Sequence, residues 1–326
     1  MHTDARTSVG PLAVITNRFS AQNRRRRCGW VTPILADEPD AAHFEIDHPG
    51  ELIEALRQCA AMGTETIVVN GGNGTAGMVF GGLLNDGAFA NPPLLGLLCG
   101  GKTNLTAANW GLTGNPEAAL SAILRHRRER TLNGHVVDRA VLTLERTGDL
   151  PPLYGGFFGA AEIVEATRFF RRHFYPLHLP DALSHAATLA VFVWRALISG
   201  RTSGEVAVTE AGGSRETRRF SLIAATTLDE LVLGIRPIPE EASPAEQKTF
   251  CYLSIDIGPG AILNAVAQAM RGRMSSGVGR SVRRVECLTL SFNGTYAFDG
   301  ELYETRVDQP LTLNADKHLR FIRFQA

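Results

Sequence analysis

The stretch TIVVNGGNGTAGMVFGGLL, residues 66–84, constrains the fold more than any other part of the 326-residue chain. Residues 66–69 are apolar or β-branched and predict a buried strand. The glycines within residues 70–75 permit positive φ angles and let backbone N–H groups approach a ligand closely. Thr75 is suited to cap a helix whose apolar residues follow it. A strand, a glycine loop and a helix N-terminus in this order predict a phosphate site.

Two other interpretations of this loop compete with a phosphate site, and the first of them, a dinucleotide site, is set aside. Gly72-x-Gly74-x-x-Gly77 satisfies the dinucleotide pattern G-x-G-x-x-G, but that site needs an acidic residue about 20 positions further on. The sequence around Leu97 is LLGLLCGG and supplies none. The plainest alternative is a tight turn from strand to helix that binds no ligand.

The first part of the chain alternates predicted strands and helices, and the later part is predicted to be rich in strands. LAVIT at residues 12–16 and the apolar run 94–98 predict further buried strands, and Pro49-Gly50-Glu51 opens a helix between them. This alternation implies a parallel sheet with right-handed crossovers. A helix is predicted over residues 116–130, with Ala118, Ala119, Ala122 and Ile123 facing inward. Beyond about residue 140 the composition favours strands, including a hairpin around residues 211–214 and a strand over 285–292 that the basic residues 280–284 precede. Two closing strands are predicted at residues 311–313 and 319–324. An amphipathic helix is predicted over residues 181–199.

Four segments resemble the diacylglycerol kinase catalytic-domain family of lipid kinases. Residues 70–75 are similar to its G-G-D-G-T loop, with Asn73 at the usual aspartate. A first loop of the form N-P-x-S-G is matched in part by residues 17–21, and P-x-G-T-x-N-D-x-A in part by residues 99–107. Asp299-Gly300-Glu301 is similar to the D-G-E motif that follows the family's β domain. YGGFFGAA at residues 154–161 lies where the family has a G-x-x-F-G-F-D-A-like segment that opens its second domain.

The resemblance implies an α/β nucleotide-binding domain, a parallel sheet with flanking helices, and a β-rich sandwich domain, closed by a C-terminal strand segment. The expected boundaries are residues 1–140 with the returning segment 309–326 for the nucleotide domain, and 141–308 for a β-rich lipid-binding domain. Helix 181–199 either packs on its own domain or forms a lipid-entry flap.

The activity implied is transfer of the ATP γ-phosphate to the hydroxyl of a membrane lipid such as ceramide, a sphingoid base or diacylglycerol. Asp299 is expected to accept the hydroxyl proton and Glu301 to hold Mg²⁺, both projecting to one side of an extended segment on a loop joining the domains. The residues expected to bind ATP are Asn17, Ser20, Gly71, Gly72, Asn73, Gly74, Thr75, Lys102 and Asn104.

Three departures from the family pattern bear on the metal. Asn73 and Leu105 replace carboxylates and Lys102 adds a cation, so the site is about three charge units more positive than the family's. Either phosphate binding depends less on Mg²⁺ here, or part of the metal site is lost. The second outcome suits a catalytically weak or inactive nucleotide- or lipid-binding member of the same fold.

A P-loop nucleotidase is a further alternative, because residues 96–103, GLLCGGKT, satisfy G-x-x-x-x-G-K-[ST]. In that case Lys102 would reach a phosphate and Thr103 a metal ion. Gly96, however, lies inside an apolar run rather than in a loop, and a glycine-rich loop already precedes it. The family interpretation explains the same residues.

The formal net charge is zero, which gives no argument for nucleic acid as a partner. Arginines nevertheless cluster at residues 24–27, 125–130, 168–172 and 271–284. Each cluster alone is typical of a solvated face, but together they could hold an anionic membrane surface. The first residues contain no apolar signal core, and no run of about 18 apolar residues occurs. We therefore expect a cytoplasmic protein that associates peripherally with the inner face of the membrane. The sequence is compatible with a homodimer.

Overall fold

A computed structural model describes residues 10–26, 28–85, 87–173, 205–210, 213, 215–237 and 248–324. The helix predicted over residues 181–199 lies outside these described residues. The chain divides into two compact units, residues 1–139 with 319–326 and residues 140–318. Among the helices that the structure describes, none combines the length and the apolar character needed to cross a membrane.

The described helices and strands are numbered here in chain order. The α-helices are α1 (Ala21–Arg26), α2 (Val31–Leu35), α3 (Pro49–Ala61), α4 (Asn73–Asn85), α5 (Leu105–Trp110), α6 (Pro116–Arg128), α7 (Glu162–His173) and α8 (Pro259–Ala269). The 3-10 helices are Cys28–Trp30, Leu132–His135 and Val232–Gly234. The strands are β1 (Leu12–Asn17), β2 (Ala41–Ile46), β3 (Thr66–Gly71), β4 (Leu94–Cys99), β5 (Val136–Arg146), β6 (Leu153–Gly155), β7 (Phe157–Ala161), β8 (Glu205–Glu210), β9 (Glu216–Thr226), β10 (Arg236–Pro237), β11 (Phe250–Asp256), β12 (Arg273–Met274), β13 (Arg280–Val285), β14 (Cys287–Ser291), β15 (Gly294–Phe298), β16 (Glu301–Thr305) and β17 (Leu311–Ile322).

The first unit is built on a parallel sheet in the order β2-β1-β3-β4. The end of β17 adds a further parallel neighbour, with Phe321 opposite Leu95. Strands β1 and β3 are buried along almost their whole length, as expected where helices cover both faces of a parallel sheet. Phe80, Trp110 and Phe321 form one aromatic group, with ring centroids 5.3 to 6.2 Å apart.

The second unit is rich in antiparallel strands. The long strand β9 pairs with β8 at its beginning and with β7 and β11 further along, and β15 joins β7 to β16. The predicted hairpin is confirmed as β8 and β9. The predicted fold class, a parallel α/β domain followed by a strand-rich part, is confirmed as well.

Several element boundaries differ from prediction. The strand predicted over residues 285–292 is interrupted at Glu286, and residues 280–284, expected to precede a strand, themselves form most of β13. The two closing strands predicted near the C-terminus are one continuous strand, β17. In both places strand pairing with neighbours decides the boundary, which local composition does not encode.

Helix α6 buries most of the predicted face and further residues beside it. Ile123 is buried and Ala119 and Ala122 are partly buried as predicted, but Ala118 is exposed. Leu120, Leu124 and Arg127 are buried as well. Arg127, which is 5% exposed, forms an ion pair with Glu38 at 3.0 Å and a further contact with Asp40. It also donates to the carbonyl of Gly10 at 2.8 Å. This arginine therefore belongs to the interior and not to a solvated or membrane-facing surface.

We expect Arg127→Ala to destabilise the protein by about 3 kcal/mol, because the buried Glu38 carboxylate then keeps only the exposed Arg128, at 3.1 Å, as a counter-charge. Arg125→Ala is the matched control, since Arg125 is exposed on the same helix and should change stability by no more than about 0.5 kcal/mol. Urea unfolding measures both. Equal stability of the two variants would contradict the assignment of Arg127 to the interior.

Candidate functional site

Three loops of the first unit meet at one edge of its sheet. They follow β1, β3 and β4, and carry Asn17–Ser20, Gly72 and Gly100–Asn104 respectively. Because neighbouring parallel strands place their carboxyl ends at the same edge, the loops lie side by side. Such an edge is the usual ligand site of an open α/β sheet.

Two asparagines connect the first loop to the second. The Asn17 side-chain amide donates to the Thr75 hydroxyl at 2.9 Å. The Asn23 amide donates to the Asn17 carbonyl at 2.8 Å and to the Asn70 carbonyl at 2.9 Å. Ser20 lies in the turn, where its N–H donates to the Asn17 carbonyl at 3.2 Å. Asn23 is buried and was missed from the sequence, because the arginine-rich run beside it suggested only a solvated loop.

The glycine loop is shorter than predicted. Strand β3 continues through Gly71 and helix α4 begins at Asn73, so Thr75 lies within the helix and does not cap it. Gly71, Gly72 and Gly74 have no positive φ. The prediction that these glycines are needed for positive φ angles is therefore wrong. Gly71 and Gly72 are needed instead because other atoms of the protein lie too close for a side chain.

The close approach at Gly72 is between the second and third loops. A Cβ atom on Gly101 would lie 2.5 Å from the Cα of Gly72, and one on Gly72 would lie 3.2 Å from the Cα of Gly101. Gly71 is confined by its own segment instead, because a Cβ atom there would lie 2.6 Å from the Cβ of Thr75. The Gly100 N–H donates to the Gly71 carbonyl at 3.1 Å. Glycine is thus required where the two backbones pack against each other.

The third loop is closed on itself by Asn104. Its side chain accepts from the Gly101 N–H at 2.7 Å and donates to the Gly101 carbonyl at 3.0 Å, and its backbone is left-handed, with φ 48°. Asparagine tolerates this conformation better than most residues. Lys102 lies within the closed loop and is half-buried.

Asn73, at the position where the family carries an aspartate, has a structural contact. Its side-chain oxygen accepts from the Thr106 N–H at 3.3 Å, which satisfies a free donor in the first turn of α5. Asn70 lies beneath it in the sheet, fully buried, and its side-chain oxygen has no hydrogen-bond partner. Asn73 thus places a neutral amide at the loop edge where the family carries a carboxylate.

The P-loop pattern does not form the corresponding structure. Gly96 lies in the middle of β4, and a Cβ atom there would be 3.0 Å from the Ile123 side chain in the core. Lys102 and Thr103 precede α5 by two or more residues. Gly96 therefore belongs to the sheet core and takes no part in a phosphate loop.

Asp299 belongs to the second unit, in the two-residue turn between β15 and β16. Phe298 pairs with Glu301, and Asp299 and Gly300 have φ angles of 46° and 87°. Positive φ at both turn positions is typical of the Asp-Gly type I′ hairpin. The predicted loop joining the two domains is thus a hairpin turn inside one unit, and the segment is not extended.

The Asp299 carboxylate is buried, with the residue 9% exposed. It accepts hydrogen bonds from the Gly156 N–H at 3.1 Å and the Phe157 N–H at 3.0 Å. A Cβ atom on Gly155 would lie 2.1 Å from its Oδ2. Sequence reasoning noted the YGGFFGAA segment but missed that its backbone holds this carboxylate; the paired glycines were the available signal.

Glu301 does not accompany Asp299 into the interior. Its carboxylate is exposed and forms an ion pair with Arg171 at 3.0 Å, and Arg171 also donates to the Gly300 carbonyl at 2.6 Å. The tight turn separates the two side chains that an extended segment would have placed on one side. Within the described residues, no three histidine, cysteine, aspartate or glutamate side chains form a metal cluster.

Burial raises the pKa of Asp299 from 3.8 to about 7. The hydrogen bonds from the Gly156 and Phe157 N–H groups lower the pKa, but their effect is smaller than that of burial. A carboxylate whose pKa is higher in the folded state makes the protein less stable as pH rises from about 4 to about 7. The cost at pH 8 is about 4 kcal/mol, from a shift of about three units.

Asp299→Asn should remove this pH dependence, because the amide oxygen can still accept from Gly156 and Phe157 but cannot ionise. We expect equal stability of variant and wild type near pH 4, and a variant more stable by up to about 4 kcal/mol at pH 8. Urea unfolding at a series of pH values measures the difference. A constant difference across that range would show that Asp299 is not buried with a raised pKa.

Comparisons with known proteins bear on the fold and on the family that the chain resembles. Residues 11–136 match the model of the diacylglycerol kinase catalytic domain. Two crystal structures from Bacillus anthracis str. Sterne, described as diacylglycerol kinases (one of them provisionally), each cover 96% of this chain and 97% of their own. They are 16% and 15% identical to it, with TM-scores of 0.65 and 0.62. No curated protein matches the chain.

The fold consists of a parallel α/β unit with three loops at one edge of its sheet and a strand-rich unit. The match of residues 11–136 to the model of the diacylglycerol kinase catalytic domain confirms the predicted resemblance. At about 15% identity, the likeness to the solved structures establishes the shared fold over nearly the whole chain.

Proposed function

We propose that this protein is an ATP-dependent lipid kinase that phosphorylates the hydroxyl of a membrane lipid. The observation that carries the proposal is the loop edge of the first unit, where three glycine- and asparagine-rich loops meet in the segment that matches the family. In this proposal the first unit binds nucleotide and the second binds lipid.

The residues present at the loop edge fit a triphosphate. Glycines at 72 and 101 let the second and third loops pack directly against each other, and the first turn of α4 offers free N–H groups. Gly74 lies in that turn. Lys102 supplies positive charge, while Asn17, Ser20, Asn73, Thr75 and Asn104 fix the loops. ATP would contribute the transferable phosphoryl group; the protein contributes positioning and charge neutralisation.

Asp299 is the proposed proton acceptor. Its pKa of about 7 is close to the value at which a carboxylate is both ionised and basic enough to act as a general base. The N–H groups of Gly156 and Phe157 fix its orientation. We propose that Oδ2 takes the proton of the lipid hydroxyl as the oxygen attacks the γ-phosphorus.

The residues fit Mg²⁺ poorly, because hard divalent ions prefer carboxylate oxygens. The three loops of the first unit present asparagines, a threonine and a lysine, and Glu301 is engaged with Arg171. No step is therefore assigned to a metal held by the protein. That Glu301 binds Mg²⁺ remains a prediction from the resemblance.

The lipid acceptor is proposed as a class: ceramide, a sphingoid base or diacylglycerol. Such acceptors lie in membranes, so the protein would act as a peripheral enzyme at the cytoplasmic face. The basic clusters were expected to mediate this contact. Arg171 and Arg283, however, already pair with Glu301 and Glu210, which leaves fewer cations for a lipid surface.

The test uses ATP labelled at the γ-phosphate. Purified protein is incubated with each candidate lipid and with a total lipid extract, in the presence of Mg²⁺ and of Mn²⁺, and lipids are separated by thin-layer chromatography. We expect one labelled lipid, absent from Asp299→Asn reactions. If no lipid is labelled under any metal condition, the proposal of catalysis is wrong.

A nucleotide- or lipid-binding protein without turnover is the second candidate, and Asn73 favours it. An aspartate would supply a charged metal ligand there, whereas the Asn73 oxygen accepts from Thr106. Asn73→Asp preserves an acceptor for that N–H, so the fold should be kept. Turnover present only in this variant would favour the binding protein, and turnover in the wild type would exclude it.

A further inference from the structure

The second unit exposes an uncharged apolar surface around α8. Residues 257–270, IGPGAILNAVAQAM, contain no charged side chain. Leu263 is 50% exposed, and Met270, directly after the helix, is 81% exposed. Leu263, Ala267 and Met270 are spaced by four and three residues, so they lie along one face of the helix. An exposed helix of a soluble unit normally carries charges on this face.

The opposite face of α8 packs the helix onto the core of the second unit. Ala261, Ala265 and Ala269 recur at every fourth residue and pack on a cluster that includes Leu253, Ile255 and Val282. The small alanines let the helix lie close to the sheet while its larger apolar side chains point away from the core. The same cluster includes Phe157, whose N–H donates to Asp299.

A second apolar projection lies beside the start of α8. Val278 is 87% exposed at the tip of a tight turn, in which Gly277 and Arg280 exchange backbone hydrogen bonds at 3.0 Å. Arg280 is buried beneath the turn and donates to the Ser275 carbonyl and to Asn264 of α8, the latter at 3.2 Å. The turn is thus held by an arginine whose charge does not reach solvent.

A third projection adjoins the other end of the helix. Leu233 is 39% exposed and has a φ of 62°, a conformation that a bulky residue adopts only when its surroundings impose it. The Arg236 N–H donates to the Gly272 carbonyl at 3.0 Å, which ties the segment of Leu233 to the residues directly after Met270. Apolar side chains therefore project at both ends of α8 as well as along it.

The charges next to this surface are basic. Arg271 and Arg273 follow Met270 and are exposed, and neither forms an ion pair with any part of the chain that the structure describes. The nearby acidic groups are engaged: Glu230 pairs with Arg236 at 3.2 Å, and Asp256 with Arg218 at 3.7 Å. Apolar projections beside unpaired arginines are complementary to a bilayer with anionic headgroups.

We propose that Leu263, Met270, Val278 and Leu233, with Arg271 and Arg273, form a membrane-docking surface for anionic lipid bilayers. The proposal builds on the proposed lipid kinase function, since such an enzyme must reach an acceptor held in a membrane. The apolar side chains enter the interface between headgroups and acyl chains, and the two arginines contact anionic headgroups.

Flotation with vesicles of phosphatidylcholine and phosphatidylglycerol tests the surface. Met270→Asp and Val278→Asp should each weaken vesicle binding by about tenfold or more, because an apolar anchor is lost and a charge must enter the interface. Val307→Asp is the matched control, since Val307 is a half-exposed valine in another turn of the same unit, and it should bind as wild type. Arg271→Gln with Arg273→Gln should weaken binding to these vesicles but not to pure phosphatidylcholine.

Kinase assays separate this proposal from the function on which it rests. With the acceptor in vesicles, Met270→Asp should lose activity in proportion to its binding; with a short-chain acceptor in solution it should equal the wild type. Vesicle binding that depends on Met270 and Val278, without any lipid phosphorylation, would refute the kinase and leave the surface standing. Wild-type protein that does not float, or variants that float equally, would overturn the surface. The surface would also be overturned if light scattering showed that the wild type is a dimer, that Met270→Asp dissociates it, and that vesicle binding is unchanged in this variant.

Discussion

Asp299→Asn is expected to lower kcat for lipid phosphorylation by about 10²- to 10⁴-fold, the range typical of general-base assistance. The amide cannot take the hydroxyl proton, yet its oxygen keeps the hydrogen bonds from Gly156 and Phe157. The variant should therefore fold at least as well as the wild type, and ATP affinity should change little. Steady-state kinetics with an equilibrium titration of ATP measure both quantities.

Gly155→Ala provides an independent variant that retains the carboxylate. Its Cβ would lie 2.1 Å from the Asp299 Oδ2, so the carboxylate must move, and a displacement of about 1 Å is enough to cost about 10²-fold in rate. Asp308→Asn is the control, as Asp308 is an exposed turn aspartate of the same unit. Unchanged kcat in both Asp299→Asn and Gly155→Ala would remove Asp299 from the mechanism.

The α/β part of the fold could be predicted because its signals are local. The runs at residues 12–16, 66–69 and 94–98 are apolar or β-branched and fully internal, and a parallel sheet buried on both faces gives such continuous runs. The loops at the ends of these strands could be placed at one edge of the sheet by topology alone. Their side-chain contacts, such as Asn23 with Asn70, span up to 58 residues and leave no periodic trace.

The strand-rich unit was less predictable, because its strand ends depend on partners distant in sequence. Residues 280–284, RSVRR, were counted with a basic cluster and expected only to precede a strand, yet they pair with β11 and Arg280 is buried. Asp299-Gly300 was read as part of an extended segment, although Asp-Gly between alternating strands is also the standard signal for a hairpin. The prediction followed the two carboxylates of the family motif and did not consider that Asp299-Gly300 forms the turn of a hairpin.

The burial of Asp299 was equally hidden from the sequence. A D-G-E tripeptide is ordinarily an exposed turn, and Glu301 does remain exposed. What buries Asp299 is the glycine pair at residues 155–156, more than 140 positions earlier. The raised pKa that makes this carboxylate suitable as a base is thus a property of the tertiary fold.

Lys102→Met is expected to weaken ATP binding by about 10- to 100-fold, because a charge-assisted hydrogen bond to phosphate contributes about 1.5–3 kcal/mol. Gly101→Ala should weaken it at least as much. The added Cβ would lie 2.5 Å from the Cα of Gly72, so the second and third loops must separate and lose the backbone positions that approach the phosphates. Calorimetric titration with a non-hydrolysable ATP analogue measures both.

Two glycine variants distinguish this site from its alternatives. Gly134→Ala meets no atom within 4 Å and should bind the analogue as wild type does. Gly96→Ala places a Cβ 3.0 Å from Ile123 in the core, so it should lower the melting temperature without changing affinity, since Gly96 lies inside β4. A site built on a P-loop predicts the opposite, a loss of affinity at Gly96. If Gly96→Ala and Gly101→Ala weakened ATP binding equally at matched stability, the three-loop edge would not be the nucleotide site.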